Sequence, residues 1–361
     1  MIAFHVNASE VIQLKLKGDF TKSWENRDKK TRTYHPAVLS FEQKLVEVKM
    51  KIRGNHRAGL SRGGSSDGPL LPNCDYPPLK FKFINDFIFL KKGSGVKFVS
   101  HCNDFENNLD QMPEYGILGG NNYLLREFYT YKIQNILMDL SYYSSLAMID
   151  FINTGDQSTH QDVNRYGFFL ERSKDLGRRL ELRYIDDAKN INPDNFSQTD
   201  FLKAKIFNWL IGNSDEGIGN PSNDHQFHNY KIYKNKNNKF LPLPYDFNQT
   251  RIADLFLNPY LIFWGHGYVC SLIDKKLIQA IFKDFYEKKE DILKLINRSL
   301  LSYDDASFFR KFFKVKFDYI NEKLLSKDLE LKIERRNDLV LQPDGSHAEV
   351  PSKYFCSISI K

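Results

Sequence analysis

The 361-residue sequence predicts an α+β chain of two lobes. An N-terminal antiparallel sheet lobe with one long helix is followed by a mainly helical lobe that contains a β-hairpin. Three observations carry this. Apolar residues alternate with period 2 through much of the first half, one helix-period stretch interrupts them near residues 123–140, and helix-period spacing returns from about residue 272. The boundaries follow: a β-rich lobe over 1–175, a mainly helical lobe over 176–330, and a C-terminal tail over 331–361.

Residues 2–20 alternate loosely and predict one or two strands. Leu45–Ile52 alternates cleanly, the mark of a half-buried strand, and Arg53-Gly54-Asn55-His56-Arg57 ends it. A Gly- and Ser-rich loop spans Ala58–Pro72. Leu79–Ile84 is a second alternating strand, entered through Pro77-Pro78, and Val96–Val99 a third. Tyr123–Leu140 changes period and predicts an amphipathic helix. Leu146–Asn153 and Arg165–Glu171 read as strands again. Asp200–Ile211 reads as a helix with Thr199 or Asp200 near its N-cap. Asn229–Tyr233 and Phe240–Phe247 flank a polar turn and form the hairpin. Leu272 to about Lys327 predicts two or three helices, and the last thirty residues, with Pro343-Asp344-Gly345 and Pro351, an irregular tail.

Composition narrows the function classes. Hydrophobic residues make up 41% and aromatics 14%, enough for a buried core, which excludes global disorder. The longest apolar run, Leu255–Trp264, is broken by Asn258 and Pro259 and falls short of the ~20 residues of a membrane span. The net charge of +7 is mild and suits a phosphate-bearing ligand. No dense Lys/Arg stripe with interleaved aromatics is visible, so nucleic acid is not the expected partner. The four cysteines form no C-x-x-C pair, which argues against structural zinc and leaves two readings of Cys74 and Cys102: one disulfide, or free thiols. Met1–Glu10 lacks the basic and apolar regions of a signal peptide. The location is therefore cytoplasmic, or periplasmic or secreted if a signal was removed.

The densest polar cluster runs through Gly212-Asn213-Ser214-Asp215-Glu216, His228-Asn229-Tyr230-Lys231 and Pro244-Tyr245-Asp246-Phe247-Asn248. Phosphoryl transfer needs such a set. One carboxylate orients or deprotonates the accepting hydroxyl, while a second carboxylate and an amide oxygen hold Mg²⁺ against the phosphates. Asp246 ends an apolar run, where a plain solvated carboxylate is out of place; the alternative is a turn cap.

The order of these segments resembles the CotH-like atypical kinases, in a Gram-negative branch. The residues that carry the resemblance are Ile-Gly-Asn-Ser-Asp (211–215), His-Asn-Tyr-Lys (228–231) and Leu-Pro-Tyr-Asp-Phe-Asn (243–248). Upstream, Lys51–Arg57, Cys74–Lys80, Val96–Cys102 and Leu125–Tyr131 belong to the same pattern, which covers about residues 45–260. The resemblance implies a two-lobed kinase-like fold with the hairpin at the active site, and an ATP- and Mg²⁺-dependent transfer to a protein or small-molecule hydroxyl. It implies Asp215 as the catalytic aspartate, Asp246 and Asn229 as metal ligands, Lys97 on the nucleotide phosphates and Glu127 paired with Lys97. The resemblance also makes Arg53 and Arg57, which flank Gly54 at a strand end, candidates for meeting phosphates.

Several alternatives stay open. Asn220 lies five residues after Asp215, a spacing common in protein kinases, and competes with Asn229 as metal ligand. Lys80 or Lys82 could replace Lys97 as the phosphate lysine. His101 and His228 lack the companions of a metal or Cys/His site and read as orienting or buried histidines, and Glu171 marks the junction of the lobes by position. The pattern has a second Asp where this chain has Asn248. That departure favours a second function class, a pseudokinase or nucleotide-binding module without turnover, acting as an interaction or cell-surface protein.

Overall fold

Leu14 and Leu16 alternate with lysines, as do Val48, Met50 and Ile52, and Phe81 and Phe83. Burial follows that alternation in the computed structural model of the chain. The structure describes residues 11–26, 32–42, 44–53, 78–85, 95–100, 120–156, 162–186, 188, 191, 195–213, 217–218, 227–247, 261–263, 272–325, 329–341 and 347–360. The chain forms two units. The first comprises Met1–Lys132, Tyr142–Arg172 and Arg298–Ser302; the second comprises Ile133–Ser141, Ser173–Asn297 and Tyr303–Lys361.

The first unit is a barrel. Its strands are β1 (Ile12–Gly18), β2 (His35–Phe41), β3 (Lys44–Ile52), β4 (Leu79–Phe83), β5 (Gly95–Ser100), β6 (Ser144–Asn153) and β7 (Val163–Leu170). They close in the order β1-β2-β3-β4-β5-β7-β6. Neighbours pair antiparallel except at the seam, where β1 runs parallel to β6 from Ile12↔Ala147 to Gly18↔Asn153. Rings fill the interior: Phe98 lies 5.1 Å from Phe169, 6.1 Å from Phe81 and 6.3 Å from Phe151. Side chains thus occupy the inside of this small barrel. Gly167 makes the room, since a Cβ there would lie 1.9 Å from Phe98 Cζ. Helix α1 (Phe20–Glu25) sets Phe20 against this core, 5.6 Å from Phe151. Asp19 caps it through Lys22 N, and Asn153 Oδ1 accepts from Phe20 N. Helix α2 (Gly120–Leu137) follows β5.

This architecture corrects the expected fold. The chain is not a two-lobed kinase-like fold with an open N-terminal sheet lobe; it carries a closed, mixed seven-strand barrel. Pairing β1 with β6 consumes the edges that an open sheet would leave. Helix α2 also departs from an amphipathic stripe: Glu127, Thr130 and Gln134 are buried along with its apolar residues.

The second unit mixes helices with small sheets. After α3 (Ser173–Arg179) come β8 (Arg183–Ile185), α4 (Gln198–Leu210), β9 (Gly217–Ile218), β10 (Phe227–His228), β11 (Tyr230–Lys234), β12 (Phe240–Pro244) and β13 (Leu261–Phe263). Then follow α5 (Lys275–Glu287), α6 (Lys289–Asn297), α7 (Tyr303–Tyr319) with a π-helical end over Ile320–Leu325, β14 (Leu329–Leu341) and β15 (His347–Ile360). Sheets form in the orders β12-β11-β8, β10-β9 and β13-β15-β14. The N-cap of α4 is Ser197, two residues before Thr199. The expected irregular tail forms β14 and β15 instead. Their register shifts between Arg336 and Asp338, opposite Pro351, where the missing N–H of a proline is tolerated.

Candidate functional site

The candidate residues fall in two groups. Lys97, Glu127 and Arg53 belong to the barrel unit, Asn229 and Asp246 to the second. Asp215, Asn220, Asn248, Arg57, His101, Cys74 and Cys102 lie outside the described residues.

On the barrel, the pleat decides which side chains share a face. Val96 and Phe98 point into the core, so Lys97 and Val99 point outward. Lys97 stands opposite Leu170, and Val99 opposite Phe168. Phe168 is where α2 packs: Phe128 and Tyr131 lie 5.8 and 5.7 Å from its ring. Lys97 therefore shares the helix-bearing face of the barrel, and buried Glu127 is the neighbour of Phe128 on that helix.

Lys97 does not stand alone. It is the direct partner of Lys80, which is the direct partner of Lys51. Arg53 continues past the end of β3, its N–H donating to Pro78 O at 2.8 Å. Burial lowers the Lys80 pKa, and the charges of Lys51, Arg172 and Arg53 lower it further. Lys51 Nζ sits 4.7 Å over the Tyr34 ring. Lys82 is the exposed partner of Lys49 in the next outward row.

Lys132 of this unit carries no sequence signal. Lys132 Nζ donates to Ser144 O at 2.7 Å and lies 5.3 Å over the Phe128 ring, and burial pulls its pKa down to about 8. Glu171 acts locally: its carboxylate accepts from Tyr143 N at 3.1 Å, and its own N–H donates to Tyr143 O.

In the second unit, β11 and β12 pair from Lys234↔Phe240 to Tyr230↔Pro244. Asn229 and Asp246 extend the two strands at the open end of this hairpin. Both hold left-handed backbone, with φ of 56° and 65°. Asn229 O accepts from Tyr245 N–H at 3.0 Å. Asp246 is held from both sides. Gln134 Nε2 donates to Pro244 O at 2.9 Å, and buried Phe247 packs 5.6 Å from Phe207 of α4.

A chain of amides links the hairpin to the end of α4. Asn208 Nδ2 donates to Tyr230 OH at 2.7 Å, and Asn213 Nδ2 donates to Asn208 Oδ1 at 3.2 Å. Gly212, with φ 66°, turns the chain there. His228, expected as an orienting or buried histidine, is exposed.

Asn229 and Asp246 offer oxygen donors, the type a hard divalent cation takes. Among the described residues no group of three or more His, Cys, Asp and Glu side chains could hold a metal. Among the described residues, no helix is long and apolar enough to cross a membrane. Compared with models of known protein families and with curated protein sequences, the chain matches none.

Proposed function

We propose that the chain is an ATP- and Mg²⁺-dependent phosphotransferase acting on a protein or small-molecule hydroxyl. One observation carries the reading: two residues with oxygen-donor side chains, Asn229 and Asp246, follow the paired ends of one hairpin's strands in left-handed backbone. Such backbone costs roughly 1–3 kcal/mol outside glycine and persists where a site needs the side chain it presents. A turn could be made more cheaply with glycine.

Asp246 and Asn229 would hold the metal, which supplies charge neutralisation at the phosphate oxygens when bound. Lys97 would bind the phosphates and Glu127 would orient it. Asp215 would orient the accepting hydroxyl. The closed barrel does not decide the matter, because chemistry resides in the site rather than in the fold that carries it.

A second reading, a nucleotide-binding module without turnover, is favoured by Asn248, which stands where the resembling pattern has a second Asp. A nucleotide-binding scan with and without Mg²⁺, followed by transfer from labelled ATP, tests both. Mg²⁺-dependent binding with transfer supports the phosphotransferase. Binding without transfer to any acceptor supports the module, and no binding of nucleotide overturns both.

A further inference from the structure

We propose that Lys51, Lys80 and Lys97, on the outer face of β3, β4 and β5, form a binding site for a short phosphate chain, either free oligophosphate or the phosphates of a nucleotide. The nucleotide source rests on the phosphotransferase reading above. The phosphate-chain site stands on the barrel alone and needs no metal.

The three lysines are direct cross-strand partners, Lys51↔Lys80 and Lys80↔Lys97. Adjacent strands lie about 4.8 Å apart, so the row spans about 10 Å, the scale of two or three linked phosphates. Like charges placed directly opposite destabilise a sheet. An outward position on a barrel strand accepts either sign of charge. All three side chains are half-buried, which strengthens their mutual repulsion.

Lys80 sits at the centre. Among the described residues, the charged groups that act on it are cationic: Lys51, Arg172 and Arg53. Among the described residues no carboxylate pairs with it. Glu47 is the acid on the outward side of β3, four residues from Lys51, beyond Lys49. Gly95 shares its face, and a Cβ there would lie 3.2 Å from Phe81 O and 3.6 Å from Lys80 Cε, so the lysine stem lies along the glycine. A half-buried amine between two cross-strand lysines, with Arg53 and Arg172 adding positive potential, is a place where an anion would be stabilised. The row is too narrow for a nucleic-acid track, and the Tyr34 ring beside it is already covered by Lys51.

The test is calorimetric titration of the full chain, without divalent metal, using tripolyphosphate, ATP and AMP as probes. Wild type is expected to bind tripolyphosphate and ATP, and AMP more weakly than either. Lys80→Gln is expected to weaken tripolyphosphate by about tenfold or more, the scale of one charged contact. Lys82→Gln, one row away and exposed, is expected to leave it unchanged. The ligand-free melting temperature of Lys80→Gln should equal or exceed that of wild type, since a repulsion is removed, and this shows the variant is folded. ATP binding more tightly than tripolyphosphate identifies the nucleotide as the source; equal binding identifies the bare chain. Asp246→Ala should keep tripolyphosphate binding even where Mg²⁺-dependent nucleotide binding is lost, which separates failure of this site from failure of the metal reading. The proposal is overturned by absence of tripolyphosphate binding, by an equal loss in Lys82→Gln, or by a single-stranded oligonucleotide that binds more tightly than tripolyphosphate.

Discussion

Asn229 lies opposite Tyr245 at the open end of one hairpin, Asp246 is the next residue along, and Asn229 and Asp246 both hold positive φ, at 56° and 65°. Asn and Asp enter this region more readily than other non-glycine residues, but glycine enters it at no steric cost. Side chain and backbone can therefore be tested apart.

Asp246→Gly separates the two contributions. Removing the Cβ relieves the backbone, so the folded protein should keep its stability or gain up to about 1 kcal/mol, offset by the freer unfolded chain. The carboxylate is lost, so Mg²⁺-dependent nucleotide binding should disappear. Thermal melting with and without Mg·ATP checks both. A ligand-induced shift equal to that of wild type would remove Asp246 from the metal site.

Most barrel strands and the hairpin strands were legible in the sequence, and the closure of the barrel was not. Leu45–Ile52 and Leu79–Ile84 alternate in the sequence and match β3 and β4 to within a residue. The hairpin strands are likewise close to β11 and β12. Period 2 reports which face is buried, but not which strand lies alongside. The seam Ile12↔Ala147 joins segments 135 positions apart, and β2 carries Pro36, which weakens its strand signal. The lysine row became visible only once register was known, because Lys51, Lys80 and Lys97 are scattered over 46 positions. At the C-terminus, Leu329, Leu331 and Ile333 alternate with charged residues, yet Pro343-Asp344-Gly345 and Pro351 outweighed that pattern. The left-handed φ at Asn229 and Asp246 has no sequence signature beyond the residue types themselves.

Gly167 should tolerate no side chain. A Cβ there would overlap Phe98 at the centre of the barrel, and Phe98 is hemmed in by Phe81, Phe151 and Phe169. Gly167→Ala should cost about 1–3 kcal/mol, the usual scale of overpacking. The same change in a Phe98→Leu background should cost less, because the colliding ring is gone. Chemical denaturation of the four proteins measures this. Equal costs in the two backgrounds would show that the barrel can shift to admit the methyl group.

Lys316 should make stability depend on pH in the alkaline range. It is buried on α7, donates to Trp209 O at 3.2 Å and lies 4.1 Å over the Trp209 ring. Burial pulls its pKa from 10.5 down to about 8. The unfolded chain then binds more protons than the folded one between these values, so stability rises with pH from about 8 and is flat below. Lys132 acts in the same sense. Buried Tyr129 and the half-buried Tyr34 and Tyr184 have raised pKa values and oppose the trend once unfolded tyrosine ionises, so the test stays below about pH 9.5. Melting temperature should climb from pH 8 to that limit in wild type. Lys316→Met, which keeps the volume and removes the charge, should lose about half of the climb, Lys132 supplying the rest. An undiminished climb would mean that Lys316 stays charged in the folded state.

Asp215 provides the sharpest division between binding and turnover. In the proposed reaction it serves the accepting hydroxyl, whereas Asp246 serves the metal. Nucleotide affinity draws on phosphate and metal contacts, and turnover also needs the hydroxyl held in line with the transferred group. Asp215→Asn keeps the shape of the side chain and removes its charge. Mg·ATP binding should therefore persist nearly unchanged, while phosphotransfer falls by roughly 10²–10⁴-fold, the usual contribution of an acid–base or positioning group. Asp246→Asn should lower both together. If Asp215 only caps the chain after α4, its loss would lower the melting temperature and leave turnover per folded molecule intact. Titration, melting and initial-rate measurements on the same two variants distinguish these outcomes. A rate that is unchanged in Asp215→Asn while wild type transfers phosphate would assign the hydroxyl to a different residue.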